Sequence, residues 1–238
     1  MSDKKTVIVT GASGGFGMGL VEAFLKDGYN IVATSLHATQ KLTASPSLVL
    51  VDGDIGKPET AAGTVGAATK NFGSIDVLVN NAGIFYTKPF TEFTTEDFNA
   101  LVSTNLFGFL YITQLAVKQM LKQKSGSVIS ISAALADRPI AGVNGSVSMI
   151  TKGGLNSAIQ NLAVEYANEG IRFNAVAPGE ADTPMHKNDS KDSLKTGQPM
   201  RKVASIKDVV DAVLYLARAN HVSGEILHVD GGAPPRRW

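Results

Sequence analysis

The chain has 238 residues, 44% of them hydrophobic, enough for one large core in a single domain with a sheet covered on both faces. Its 22 basic and 21 acidic residues leave a net charge of +1, and no basic run exceeds the terminal Arg236–Arg237 pair, so the concentrated positive face that nucleic acid requires is missing. It contains no cysteine, which excludes disulfides, thiol chemistry and cysteine-built zinc sites, and no metal centre is expected.

The opening "MSDKKTVIVTGASGG" has a short apolar strand between polar flanks, unlike a signal peptide or a membrane span. The expectation is a soluble, cytoplasmic protein with no membrane partner. The first strand, 6–10, runs into "TGASGGFGMG" and then a helix over 16–27. Gly11 permits a tight turn, Gly15 lets the backbone approach a pyrophosphate, and Gly17 allows close helix packing. Ser13 and Phe16 lie in the same loop. Phosphate charge can then rest on the free amides of the helix start, which predicts a dinucleotide site; ordinary turn glycines are the alternative.

The second strand, 30–34, leads into "ATSLHATQ". It has neither the acid that would accept ribose hydroxyls in NAD nor an arginine for the extra phosphate of NADP. Thr34, Ser35 and Thr39 offer hydroxyls and Lys41 a charge, which tilts the reading towards NADP over NAD; solvated loop residues are the alternative. After the third strand, 47–52, Asp54 of "DGDIG" suits an adenine amino group or a helix-capping role.

A helix over 59–71 precedes the fourth strand, 76–80. Tyr86 follows that strand end and is the best-placed phenol for a substrate region, unless it is a packing aromatic. A long helix over 95–122 and a fifth strand over 126–132 come next, then Asp137 and Arg138, which suit a polar substrate or a surface pair with each other. A helix over 148–168, a strand over 171–177, a helix over 206–219 and a strand over 225–230 complete the pattern. Near-continuous apolar strands alternating with amphipathic helices predict a doubly wound, Rossmann-like parallel sheet in a three-layer α/β/α sandwich.

The pieces "TGASGGFG", "NNAG", "STNLFG", "SVISIS", "TKGGLNSAIQNLAVEYANEGIRFNAVAPG", "DTPM" and "SGEILHVDGG", in that order and spacing, resemble the short-chain dehydrogenase/reductase family over essentially the whole chain. The resemblance implies that Asp54 and Ile55 border the cofactor and that Asn81, Ala82 and Gly83 pass beneath its adenosine and ribose. Asn105 would help position a lysine and a water. Lys152 would hold the nicotinamide ribose and lower the pKa of a catalytic tyrosine. Pro178, Gly179 and Thr183 would embrace the nicotinamide, leading into a substrate lid over 185–200 that contains His186. Phe85, Phe90, Leu135, Ile140, Met185 and Met200 suggest a partly apolar pocket for a small-molecule substrate. The long helices imply a homodimer or homotetramer, and Trp238 either packs against a neighbour or frays.

Two positions depart from the family pattern. The tyrosine expected four residues before Lys152 is Ser148, and its partner serine falls at Ala133, one residue after Ser132. A phenol of pKa about 10 can be drawn towards neutrality beside an ammonium, whereas a serine alcohol is a far weaker acid. A missing positioned acid costs roughly 10²- to 10⁴-fold in rate, without abolishing hydride transfer from a well-oriented nicotinamide. The sequence therefore points to an NAD(P)-dependent oxidoreductase acting between a carbonyl and an alcohol through a non-standard proton transfer, with water, substrate acidity or Tyr86 in place of the phenol. The alternatives are a sensor or scaffold that has lost turnover, and a deliberately inactivated reductase.

Overall fold

The computed structural model describes residues 4–182 and 199–233. Seven strands make one sheet: β1 (Thr6–Thr10), β2 (Asn30–Ser35), β3 (Leu48–Asp52), β4 (Val77–Asn80), β5 (Gly126–Ile131), β6 (Ile171–Pro178) and β7 (Ile226–Val229). All neighbouring pairs are parallel, in the order β3-β2-β1-β4-β5-β6-β7. Val7–Val9 lies in register between Ile31–Ala33 and Val77–Val79, and all nine residues are buried.

Side chains along a strand alternate between faces, and both faces here are apolar. Val7 and Val9 pack with Leu20 and Phe24 of α1 (Gly15–Lys26) and with Val213 and Leu216 of the last helix, α7 (Ile206–Arg218). Ile8 packs on the opposite side with Ala61 and Ala68 of α3 (Pro58–Phe72), Met120 of α5 (Gly108–Gln123) and Ile159 of α6 (Ser146–Glu165). The chain winds outward from β1 to β3, then returns to place β4 on the other side of β1. That reversal opens a crevice above the C-terminal ends of β1 and β4, where ligands of open α/β sheets bind.

The helix expected over 95–122 is three segments. α4 (Thr95–Leu101) starts from a capping box between Thr94 and Asp97, a π-helical turn covers Val102–Phe107, and α5 follows. A π turn inserts extra backbone that propensity does not register; this one carries Asn105 into the interior. The span Thr95–Gln123 is long and apolar enough to cross a membrane by length and composition. In the fold it covers the sheet, with Leu101, Ile112, Ala116 and Met120 fully buried. A four-residue helix, α2 (Ala38–Lys41), was not foreseen, being too short for periodicity to reveal.

Candidate active site

The glycine loop interlocks three elements. Gly11 (φ +64°) and Gly15 (φ +51°) hold left-handed backbone that favours glycine. A Cβ on Gly11 would stand 2.8 Å from Ala82 Cα. One on Gly17 would run into the Gly11 carbonyl oxygen and stand 2.8 Å from Asn81 Nδ2. Asn81 Nδ2 donates to the carbonyls of Thr10 (2.8 Å) and Gly11 (3.1 Å), and Thr10 Oγ1 accepts from the amides of Asn81 (3.0 Å) and Ala82 (2.9 Å). The first turn of α1 has no side-chain cap and no acidic residue. Its amides are left for an anion, and Gly11, Gly14, Gly15 and Phe16 line the main cavity; Ser13 does not. This cradle, which a Cβ would fill, fits a dinucleotide pyrophosphate.

At the end of β2, the hydroxyls of Thr34 and Ser35 are buried with no hydrogen-bond partner among the described residues, and neither residue lines the cavity. Thr39 is not available to join them. Its amide (2.9 Å) and its hydroxyl both donate to Asp52, holding that carboxyl below the usual range. Asp54 Oδ1 accepts from the Gly56 amide (2.9 Å), ordering the turn before α3. Ile55 is buried against Gly108, where a Cβ would approach its Cγ2 to 2.8 Å.

Deeper in the crevice, Asn105 secures the loop that follows β4. Its Nδ2 donates to the Ile84 carbonyl and to Thr151 Oγ1 (3.0 Å each), and its Oδ1 accepts from the Ile84 amide (2.9 Å). Thr151 donates in turn to the Ser148 carbonyl (2.7 Å). Ser148, where the family resemblance expects a tyrosine, is fully buried: its Oγ accepts from the Tyr86 amide (3.0 Å) and donates to the Tyr86 carbonyl (2.8 Å). The hydroxyl is therefore spent on backbone, and neither it nor the Tyr86 side chain lines the cavity. Ser148→Ala would strip one buried partner from each Tyr86 backbone group. We expect a loss of about 2 kcal/mol in urea unfolding, with little change in coenzyme affinity.

Lys152 Nζ donates to the Ile131 carbonyl (2.8 Å) and lies beside Gly83, 3.2 Å from where a Cβ would be. Burial pulls its pKa down to about 8. Lys152 and Asn105 share the wall of a small cavity of about 10 Å³, room for about one water. Ser132 Oγ donates to Asn156 Oδ1 on α6 (2.5 Å).

The main cavity, about 410 Å³, runs from the glycine loop past Gly83 and Lys152 to Pro178 and Gly179. Phe85, Ala133, Leu135, Ile140 and Val143 make its wall largely apolar. Phe90 (70% exposed) and Met200 (65% exposed) do not contribute to that wall, contrary to expectation. Thr183, Met185, His186, most of the expected lid and Trp238 lie outside the described residues.

Asp137 and Arg138 do not pair with each other. Asp137 meets His228 Nε2 (3.0 Å), while Arg138 donates to Asp230 Oδ2 (2.8 Å) and to the Ala233 carbonyl (2.9 Å). Arg138, one of the two residues expected to suit a polar substrate, lines the cavity, and so do Asp230 and Glu180, which the sequence did not mark as site residues. Glu180 directly follows the Pro178–Gly179 pair, the one signal that pointed to it. The Arg138–Asp230 contact spans 92 residues and leaves no local pattern.

Residues 11–234 match the family described as enoyl-(acyl carrier protein) reductase. A 3-oxoacyl-[acyl-carrier-protein] reductase of Buchnera aphidicola is 32% identical, covering 96% of this chain and 97% of its own. Among solved structures, ElxO with NADP bound superposes with a TM-score of 0.90 at 31% identity, over 97% of this chain and 98% of that one. The 3-ketoacyl-(acyl-carrier-protein) reductase of Brucella melitensis complexed with NADH also reaches 0.90, at 28% identity over 96% and 98%. With the family match running over residues 11–234 and the fold shared over nearly the whole chain, the chain belongs to the short-chain dehydrogenase/reductase family.

Proposed function

We propose that this protein is an NAD(P)-dependent oxidoreductase acting between a carbonyl and an alcohol on a small, partly apolar molecule. The observation that carries the reading is the glycine cradle at the β1/β4 crevice, which opens directly into the cavity beside Lys152 Nζ. The start of α1 would hold the pyrophosphate, Thr34 and Ser35 the adenosine end, and Lys152 with Asn81–Gly83 the nicotinamide ribose. When bound, the coenzyme supplies the hydride. The chain's own part is to orient the reactants, exclude water with the apolar wall and move a proton.

The unpaired hydroxyls of Thr34 and Ser35 favour NADP(H) over NAD(H), although Thr39 is engaged with Asp52. The reading also includes a proton transfer without the family's tyrosine and serine, Ser148 and Ala133 standing at those positions. It further includes a lid beyond residue 182, a cytoplasmic setting, and a homodimer or homotetramer through the long helices.

A cofactor-binding sensor or scaffold is the second reading, favoured by the engagement of the Ser148 hydroxyl with backbone. Calorimetric titration with NADPH and NADH, followed by turnover of an acetoacetyl thioester, separates the two. We expect micromolar binding with NADPH the tighter and measurable reduction; binding without reduction favours the sensor.

A further inference from the structure

Four ionisable residues line the main cavity among the described residues: Arg138, Lys152, Glu180 and Asp230. Arg138 is committed to Asp230 and the Ala233 carbonyl, and a guanidinium does not release a proton near neutrality. Asp230 receives that guanidinium. Glu180 is the other carboxyl on that wall, and the Glu180→Gln variant separates its contribution from that of Lys152. Neither Tyr86 nor Ser148 lines the wall, and Ala133 presents only a methyl group. Lys152 is different. One of its three ammonium protons goes to the Ile131 carbonyl, and Lys152 lines the cavity beside Gly83.

We propose that the Lys152 ε-ammonium is itself the acid that protonates the carbonyl oxygen during reduction, and that its neutral amine is the base in the reverse direction. The proposal rests on the oxidoreductase reading above. As the coenzyme's hydride adds to the carbonyl carbon, the C–O π pair moves to oxygen. One Nζ–H bond breaks and one O–H bond forms, giving the alcohol, the oxidised coenzyme and a neutral amine. Water then returns a proton to Nζ, and the small cavity shared with Asn105 has room for one such water. A pKa of about 8 leaves most of the amine protonated at pH 7 yet ready to give up its proton, close to the value that suits a general acid. The groups facing Nζ are the Ile131 carbonyl from β5, Gly83 from the loop after β4 and Asn105 from the π turn. The charged groups on the cavity wall are Arg138, Glu180 and Asp230.

The test combines spectroscopy of the free protein with kinetics. In protein labelled with ¹³C and ¹⁵N lysine, the resonance that disappears in Lys152→Arg should titrate with a midpoint near 8. At saturating NADPH, kcat/KM for an acetoacetyl thioester should fall about tenfold per pH unit above the midpoint of the complex. Lys152→Arg keeps the charge and the donors but holds its proton; it should bind NADPH within about tenfold of wild type, lose roughly 10²- to 10⁴-fold in rate, and lose the pH break. Methylamine or ethylamine should partly restore Lys152→Ala in proportion to the ammonium present. Glu180→Gln should retain the break.

A free-protein midpoint above about 10, a break that persists in Lys152→Arg, or a break that moves only with Glu180→Gln would each overturn the assignment while leaving the reductase reading intact. A wild type that binds NADPH but does not reduce the thioester overturns the reductase reading, and this proposal with it.

Discussion

Gly17→Ala is expected to abolish coenzyme binding and to weaken the fold. The new methyl group would meet the Gly11 carbonyl oxygen and, at 2.8 Å, Asn81 Nδ2, neither of which is the free end of a flexible side chain. Gly11 is fixed by its left-handed turn, and Asn81 Nδ2 is already bonded to the Thr10 and Gly11 carbonyls. Relief therefore requires α1 to lift away from β1, a form of overpacking that costs about 1–3 kcal/mol or more. The amides that would cradle the pyrophosphate move with the helix. We expect at least a hundredfold loss of NADPH affinity, about 2.7 kcal/mol, by calorimetry, together with a lower urea midpoint. Gly14→Ala is the control for the fold: its Cβ meets nothing within 4 Å, so stability should change by no more than about 0.5 kcal/mol. Equal destabilisation by both variants would show that the interlocking described here does not hold.

Asn105→Ala is expected to have the largest effect on stability away from the glycine loop. Asn105 is 4% exposed and its amide makes three hydrogen bonds, two of them to the backbone of Ile84. Truncation leaves an amide and a carbonyl of that loop short of a partner, and each such group costs about 1–3 kcal/mol. A total near 4 kcal/mol corresponds to a fall in Tm of about 10 °C for a chain of this size. The wall formed by Ile84 and Phe85 loosens at the same time, so turnover should fall as well. Thr151→Val removes a member of the same network. The double variant should lose clearly less than the sum of the singles, because residues sharing a network are not additive. Strict additivity in thermal unfolding would mean that Asn105 and Thr151 act separately.

Sequence alone sufficed for the seven strands, each placed to within one residue at its ends, because burial on both faces of a parallel sheet is written as a continuous local run of apolar side chains. The glycine cradle was equally legible, since Gly11, Gly15 and Gly17 act through backbone geometry within one turn. The reversal at β1/β4 follows once every crossover is right-handed and covered by a helix.

The tertiary structure decided what depends on partners far along the chain. The π turn at Val102–Phe107 has no propensity signature, and the side chain it buries is tied to Ile84 and Thr151, 21 and 46 residues away. Ser148 reads as a polar residue at a helix start until Tyr86, 62 residues earlier, is seen to take up its hydroxyl. Arg138 finds Asp230 rather than its neighbour Asp137, because the strand ends set side by side loops that lie far apart in sequence. Apolar periodicity records which face of an element is buried; it carries no term for which distant donor an acceptor will meet. The architecture was therefore readable residue by residue, and the arrangement of protons in the cavity was not.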